Sequence, residues 1–166
     1  MKLAGIVFIV ASAGWVGFGM AVAIKKQIAL YQSAMQALSL LKNEIAFCGT
    51  ALPQAFGVLA TSCDGVLSKV FQSVANSMDR HPWLSPAEAM VQGISCLDDQ
   101  KLKTVFLRLG QGLGNYGLDA QVQAIHAARD EIGHLLNTAE TTRKEKSKVY
   151  ETMGICAGLS AAILLI

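Results

Sequence analysis

The amino-acid sequence predicts an all-α protein, a helical bundle tethered by N- and C-terminal membrane helices. Three observations carry that expectation. The 166-residue chain has a charge-free run near each end, Leu3 to Ile24 and Gly154 to Ile166. Between them apolar residues recur in steps of three and four, and no stretch alternates as a half-buried strand would. Hydrophobic residues make up 52% of the chain and charged residues 16%, against a usual charged share of about 25% in soluble domains.

Leu3 to Ile24 holds 22 residues, which as a helix would span roughly 33 Å, enough for a hydrocarbon core of about 30 Å. A transmembrane helix over 3–24 follows. In lipid its glycines are tolerable, because the backbone is satisfied within the segment. Ala13, Gly17 and Ala21 fall on every fourth residue and form a small-residue face for close helix packing. The rival reading is a cleaved signal peptide, with Lys2 as its basic end and Ala11-Ser12-Ala13 or Ala21-Val22-Ala23 as the cleavage pattern. Lys25 and Lys26, directly after the run, and the second apolar run at the far end favour an uncleaved anchor.

The second run is shorter. Counted from Val149, with Tyr150 at the interface and Lys146 and Lys148 able to snorkel, a C-terminal membrane helix over 149–166 is expected. Gly154, Gly158 and Ala162 repeat the small-residue spacing.

The net charge of +2 is unevenly spread. Residues 27–142 carry seven basic and ten acidic side chains, a balance of −3. The positive charge gathers beside the apolar runs, at Lys25 and Lys26 and at Arg143, Lys144, Lys146 and Lys148. Both flanks face the middle of the chain, so region 27–142 is expected in the cytoplasm, with both termini across the membrane. No basic patch of the kind nucleic acid needs is left over. Cys48, Cys63, Cys96 and Cys156 show no CxxC spacing, and buried free thiols are expected rather than a disulfide frame.

After the anchor, Ile28, Tyr31, Met35, Leu38, Leu41, Ile45 and Cys48 mark an amphipathic helix that continues from the membrane run as one rod. Gly49-Thr50 stops it, with Thr50 expected to cap a short helix bearing Leu52, Phe56 and Leu59, and Pro53 in its first turn. Val66, Val70, Phe71 and Val74 predict the next helix, followed by a loop over Asp79-Arg80-His81-Pro82. Ser85-Pro86-Ala87-Glu88 is a capping box with proline at the first helical position, and Met90, Val91 and Ile94 complete that helix's apolar face. Asp98 or Asp99 caps a helix burying Leu102, Val105, Phe106 and Leu109, which Gly110 to Gly117 is expected to break. From Asp119 on, Val122, Ile125, Ile132, Leu135 and Leu136 lead without proline into the basic tract and the terminal run. The middle region is expected to be a compact bundle of about six helices.

Several constellations imitate chemistry. Gly112-Leu113-Gly114-Asn115-Tyr116-Gly117 spells GxGxxG, but a helix precedes it where the dinucleotide fingerprint requires a strand. A nucleotide-dependent membrane oxidoreductase is the reading it would support, and a flexible turn between helices is the simpler account. His126, Asp130 and His134 share a helix face, yet two turns set the histidines roughly 12 Å apart, too far for one metal. No GxSxG elbow or P-loop is present. No coherent catalytic, cofactor or metal set emerges, and a membrane scaffold subunit is expected. The alternative from another class is a secreted or membrane-docked all-helical binding protein with a cleaved N-terminal signal.

Motifs in combination point further. Leu38-Ser39-Leu40-Leu41-Lys42-Asn43-Glu44-Ile45, then Thr50-Ala51-Leu52-Pro53-Gln54-Ala55, resembles the stage III sporulation protein AB family of endospore-forming bacteria, in which an acid-isoleucine pair ends a helix before a Thr-x-Leu-Pro turn. Ser85 to Ala89, Leu113-Gly114 with Asp119 and Gln123, and Lys148-Val149-Tyr150 before a glycine-rich apolar tail extend the resemblance over nearly the whole chain. Gln54 stands where that pattern has an acid, and the interval from Leu113-Gly114 to Asp119 is longer than in it. The resemblance implies a non-enzymatic relative of the inner-membrane platform protein of type II secretion and type IV pilus systems. It implies a place in the outer forespore membrane, with the helical domain in the mother cell, within a secretion-like complex linking mother cell and forespore during engulfment. Its implied partners are a cytoplasmic secretion ATPase and other complex subunits, with no cofactor.

Overall fold

A computed structural model describes the backbone over residues 2–114 and 117–165, and the side chains' surroundings over 22–114 and 117–145. The described backbone is all-helical: α1 Lys2–Ala46, α2 Leu52–Ser62, α3 Gly65–Arg80, α4 Pro86–Gly93, a 3-10 turn Ile94–Cys96, α5 Gln100–Leu113 and α6 Leu118–Leu165. Contacts divide the chain into two units, one of residues Leu30–Leu136 and one of Met1–Ala29 with Asn137–Ile166.

The unit over 30–136 is built on an aromatic row. The Phe71 ring of α3 stacks near that of Phe56 of α2 at 6.1 Å between centroids, and meets Phe106 of α5 edge-on at 5.8 Å. Offset and edge-on pairs of this kind place positive ring edges against negative faces. Tyr31, Leu38, Leu41, Leu59, Leu67, Met90, Leu97, Leu102 and Leu109 of the same unit are likewise fully buried. Each such side chain contributes on the order of 1.5–3 kcal/mol by leaving water. α3 packs against α2 and α4, and α4 against α5. No polar or charged residue is buried among the described ones.

Each start and stop has a local cause. Gly49 takes the left-handed conformation (φ 63°), which lets the Thr50 N–H reach back to the Glu44 carbonyl at 3.0 Å and ends α1. Ser85 and Glu88 form the expected capping box on α4, the Ser85 N–H donating to Glu88 Oε2 at 3.0 Å and the Glu88 N–H to Ser85 Oγ at 3.2 Å. Asp99, rather than Asp98, caps α5 by accepting the Leu102 N–H at 3.0 Å.

The structure corrects several expectations, among them the loop over Asp79-Arg80, which lies within α3. Thr50 does not cap α2, whose N-cap is Ala51 without a side-chain bond; its hydroxyl is held by Glu44 instead. α1 ends at Ala46, so Cys48 lies beyond it, and Cys48 and Cys96 are exposed free thiols rather than buried ones. α4 is only eight residues long and buries Ala89, Met90 and Gly93, leaving Val91 56% exposed. Gly110 and Gly112 lie inside α5, which runs to Leu113. A Cβ at Gly110 would stand 3.0 Å from Met90 Cβ and 3.2 Å from the Pro86 carbonyl oxygen, so the absent side chain is what lets α4 and α5 approach.

Among the described residues no helix is long and apolar enough to cross a membrane. The two expected membrane helices, 3–24 and 149–166, lie outside the residues whose side chains are described, except for 22–24.

Candidate functional surface

The packing residues expected in the apolar runs, Ala13, Gly17, Ala21, Gly154, Gly158 and Ala162, lie outside the described side chains, as do Lys146 and Lys148. Lys25, Lys26, Arg143 and Lys144 are exposed. His126, Asp130 and His134 are exposed on α6, and no cluster able to hold a metal occurs among the described residues. Of the GxGxxG letters, Gly112 and Leu113 end a helix and Gly114 follows it, with Asn115 and Tyr116 outside the described residues. Gly112 sits against Ala124 of α6, a packing role that needs no ligand.

Two segments singled out by motif are joined physically. The Thr50 hydroxyl donates to Glu44 Oε2 at 2.8 Å, tying the acid at the end of α1 to the threonine that opens the Thr-x-Leu-Pro turn. Tyr31 of α1 donates its phenol to Asp99 Oδ2 at 2.8 Å, so the cap of α5 also anchors α1. Arg108 pairs with Glu131 at 3.0 Å, and at 65% and 39% side-chain exposure the pair contributes little.

Glu88 and Cys63 are displaced from their ordinary values. Glu88 is held below the usual carboxylate range, first by the Ser85 backbone N–H and then by the Ser85 hydroxyl. The Cys63 thiol is pushed up, first by burial and then by the neighbouring Asp64 carboxylate. Neither sits with partners that would make it a nucleophile or a general acid.

The surface of this unit carries a feature that periodicity alone did not single out. The outer face of α3, opposite its buried Leu67, Val70, Phe71 and Val74, forms with Gln92 of α4 an open groove of about 500 Å³. Lys69, Gln72, Asn76 and Arg80 line it at the three- and four-residue steps of one helix face, and His81, just past the end of α3, closes one end. No acid is among its lining residues; Asp79 is exposed but does not line it. Among the described residues neither Lys69 nor Arg80 has an ion-pair partner. Beyond Arg80 the chain turns, the Leu84 N–H donating to the His81 carbonyl at 2.9 Å with Pro82 at the second position. That turn leaves Trp83 80% exposed, its ring 5.2 Å from the His81 ring. A run of serines, amides and two cations on a helix reads as an ordinary solvated face, so the sequence alone could not separate it from the others.

Comparison with known proteins places this architecture. The family model described as Stage III sporulation protein AB (spore_III_AB) matches residues 2–166. The chain is similar to the stage III sporulation protein AB of Bacillus subtilis (strain 168), 27% identical over 170 residues that cover 99% of each chain. A solved structure of stage III sporulation protein AB (SpoIIIAB) shares the fold at a TM-score of 0.64, with 21% identity over 70% of this chain and 94% of that one.

Proposed function

The chain belongs to the stage III sporulation protein AB family, and from that premise we propose that it is a membrane-anchored, non-catalytic scaffold subunit of a secretion-like complex connecting mother cell and forespore during endospore formation. The helical unit lies in the mother-cell cytoplasm, held by the two apolar runs in the outer forespore membrane. It presents its surface to a cytoplasmic secretion ATPase and to other subunits of the complex. One observation carries the topology: Lys25 and Lys26 follow the first apolar run, and Arg143 to Lys148 precede the second, so both basic flanks adjoin the middle of the chain. The scaffold reading is supported by how the unit spends its polar groups. Asp99, Glu88, Ser85, Glu44 and Thr50 cap helices or join them, and none of them converges on a reacting position.

Cysteine accessibility tests the topology, and the structure selects the reporter. Cys96 is exposed within the helical unit, whereas Cys63 is half-buried with a raised pKa. A variant keeping Cys96, with the other three cysteines changed to alanine, is expected to react with an impermeant maleimide only after permeabilisation. Reaction in intact cells would put the unit across the membrane and favour the secreted binding protein. For the partner, co-purification of the full chain with the ATPase at low salt is expected, and its failure would remove the ATPase from the proposal.

A further inference from the structure

We propose that the groove on the outer face of α3, with Trp83 beside its Arg80–His81 end, is a docking site for an acidic segment of a partner protein. Three features argue for that occupant. The first is charge. Residues 27–142 sum to −3, yet the groove gathers Lys69 and Arg80 with no acid along its lining and, among the described residues, no ion pair to neutralise either. A carboxylate-bearing ligand complements that field, and the surrounding negative balance repels an anion placed elsewhere on the unit.

The second is the hydrogen-bonding bias of the groove. Gln72 Nε2 donates to Asn76 Oδ1 at 3.0 Å, and the Ser77 hydroxyl donates to Gln92 Oε1 at 2.9 Å. These internal bonds each occupy one lone pair on the amide oxygens of Asn76 and Gln92 and turn their NH₂ groups outward of those bonds as donors. Donors flanked by cations suit peptide carbonyls and carboxylates. The third is Trp83, 80% exposed and steadied by its turn and by the His81 ring. An exposed, positioned tryptophan is the residue type most often found carrying binding energy at interfaces.

Size and charge count favour a protein segment over a membrane. Lys69 and Arg80 are eleven residues apart on α3, about 16 Å, which an extended segment crosses in about five residues. Two cations fall short of the four to eight clustered basic residues that hold a surface on anionic lipid. The inference stands on the surface itself, whether or not the complex is the one proposed above.

The test uses the full chain in detergent micelles and a fluorescein-labelled peptide of about ten residues, Asp and Glu with one Phe, read by fluorescence anisotropy. Its control replaces each acid by its amide. The acidic peptide is expected to bind, with affinity that falls as salt rises. The K69Q/R80Q variant should weaken it by about tenfold or more, and Trp83→Ala severalfold. K101Q/K103Q, which removes the same charge from α5, should leave binding unchanged. The charge-reversed K69E/R80E chain should prefer a Lys-rich peptide, a gain that a misfolded variant would not show. The proposal is overturned if the acidic peptide does not bind, or if K69Q/R80Q binds it as the parent does. It is equally overturned if K101Q/K103Q loses as much, or if phosphatidylserine vesicles, rather than the peptide, are what depend on Lys69 and Arg80.

Discussion

Thr50 is bonded to Glu44 twice, its backbone N–H donating to the Glu44 carbonyl at 3.0 Å and its hydroxyl to the Glu44 carboxylate at 2.8 Å. The first bond closes the end of α1, and the second fixes the direction in which the chain leaves toward α2. Thr50→Val keeps the backbone bond and the shape but removes the hydroxyl. Loss of about 1 kcal/mol is expected in thermal unfolding followed by circular dichroism. Glu44→Gln retains an accepting oxygen and should lose less; equal losses would mean that the carboxylate charge, not the bond, matters.

Asp99 serves two helices at once, accepting from the Tyr31 phenol at 2.8 Å and from the Leu102 N–H at 3.0 Å. Tyr31→Phe should cost about 1 kcal/mol, since it removes one bond and leaves Asp99 within reach of water. Asp99→Ala should cost more, roughly 2–3 kcal/mol, because the cap is lost and the nearly fully buried Tyr31 keeps its hydroxyl without this acceptor. An Asp99→Ala loss no greater than that of Tyr31→Phe would show that the cap contributes nothing.

Two helical glycines should respond in opposite directions. A Cβ at Gly57 meets nothing within 4 Å, so Gly57→Ala should stabilise by about 0.5–1 kcal/mol through the lower entropy of the unfolded chain. At Gly93 the same atom would stand 2.9 Å from the Val70 carbonyl oxygen on α3, and backbone cannot step aside. Gly93→Ala should destabilise by about 1–3 kcal/mol by prising α4 from α3. Unfolding midpoints of the two variants against the parent decide both.

The capping box makes α4 sensitive to acid. Glu88 titrates below the usual carboxylate range when folded, so its contribution is fully present above its unfolded pKa and is lost as pH falls through its lower, folded pKa. Removing the cap by Ser85→Ala should cost about 1 kcal/mol at neutral pH. The gap between parent and variant should narrow below about pH 4. A gap that stays constant down to pH 2 would show that the Glu88 carboxylate takes no part.

Cysteine reactivity should follow environment. Cys63 is half-buried and its thiolate is disfavoured by burial and then by Asp64, whereas Cys96 is exposed. In single-cysteine variants near neutral pH, half-buried Cys63 should alkylate more slowly than exposed Cys96. Asp64→Asn should speed Cys63 without closing the gap, because burial is the larger cause. Matching rates at every pH would contradict the assigned environment.

Much of the fold was legible in the residue order because the signals are local. Ser85, Pro86 and Glu88 mark a helix start within four residues, the Asp98-Asp99 pair marks another, and Leu102, Val105, Phe106 and Leu109 declare a buried stripe by spacing alone. The charge-free runs and their basic flanks are likewise properties of contiguous sequence. The misjudged positions share another property, that a distant neighbour decides them. Gly110 and Gly112 look like helix breakers until Met90, Pro86 and Ala124 close on them and make a missing side chain an advantage. Thr50 looks like a cap until Glu44 accepts its hydroxyl, and Val91 looks buried until α4 packs through Ala89, Met90 and Gly93 and leaves it outside. The groove belongs to the same class: Lys69, Asn76 and Arg80 are an ordinary polar helix face on paper. The sequence by itself determined that the chain is helical, the capping box at Ser85 and the placement of charge, since each follows from bonds and periodicity within a few residues. Only the tertiary structure decided which glycines are contacts, which thiols are open and where unpaired cations gather, because these depend on side chains brought together by burial of the shared core around Phe56, Phe71 and Phe106.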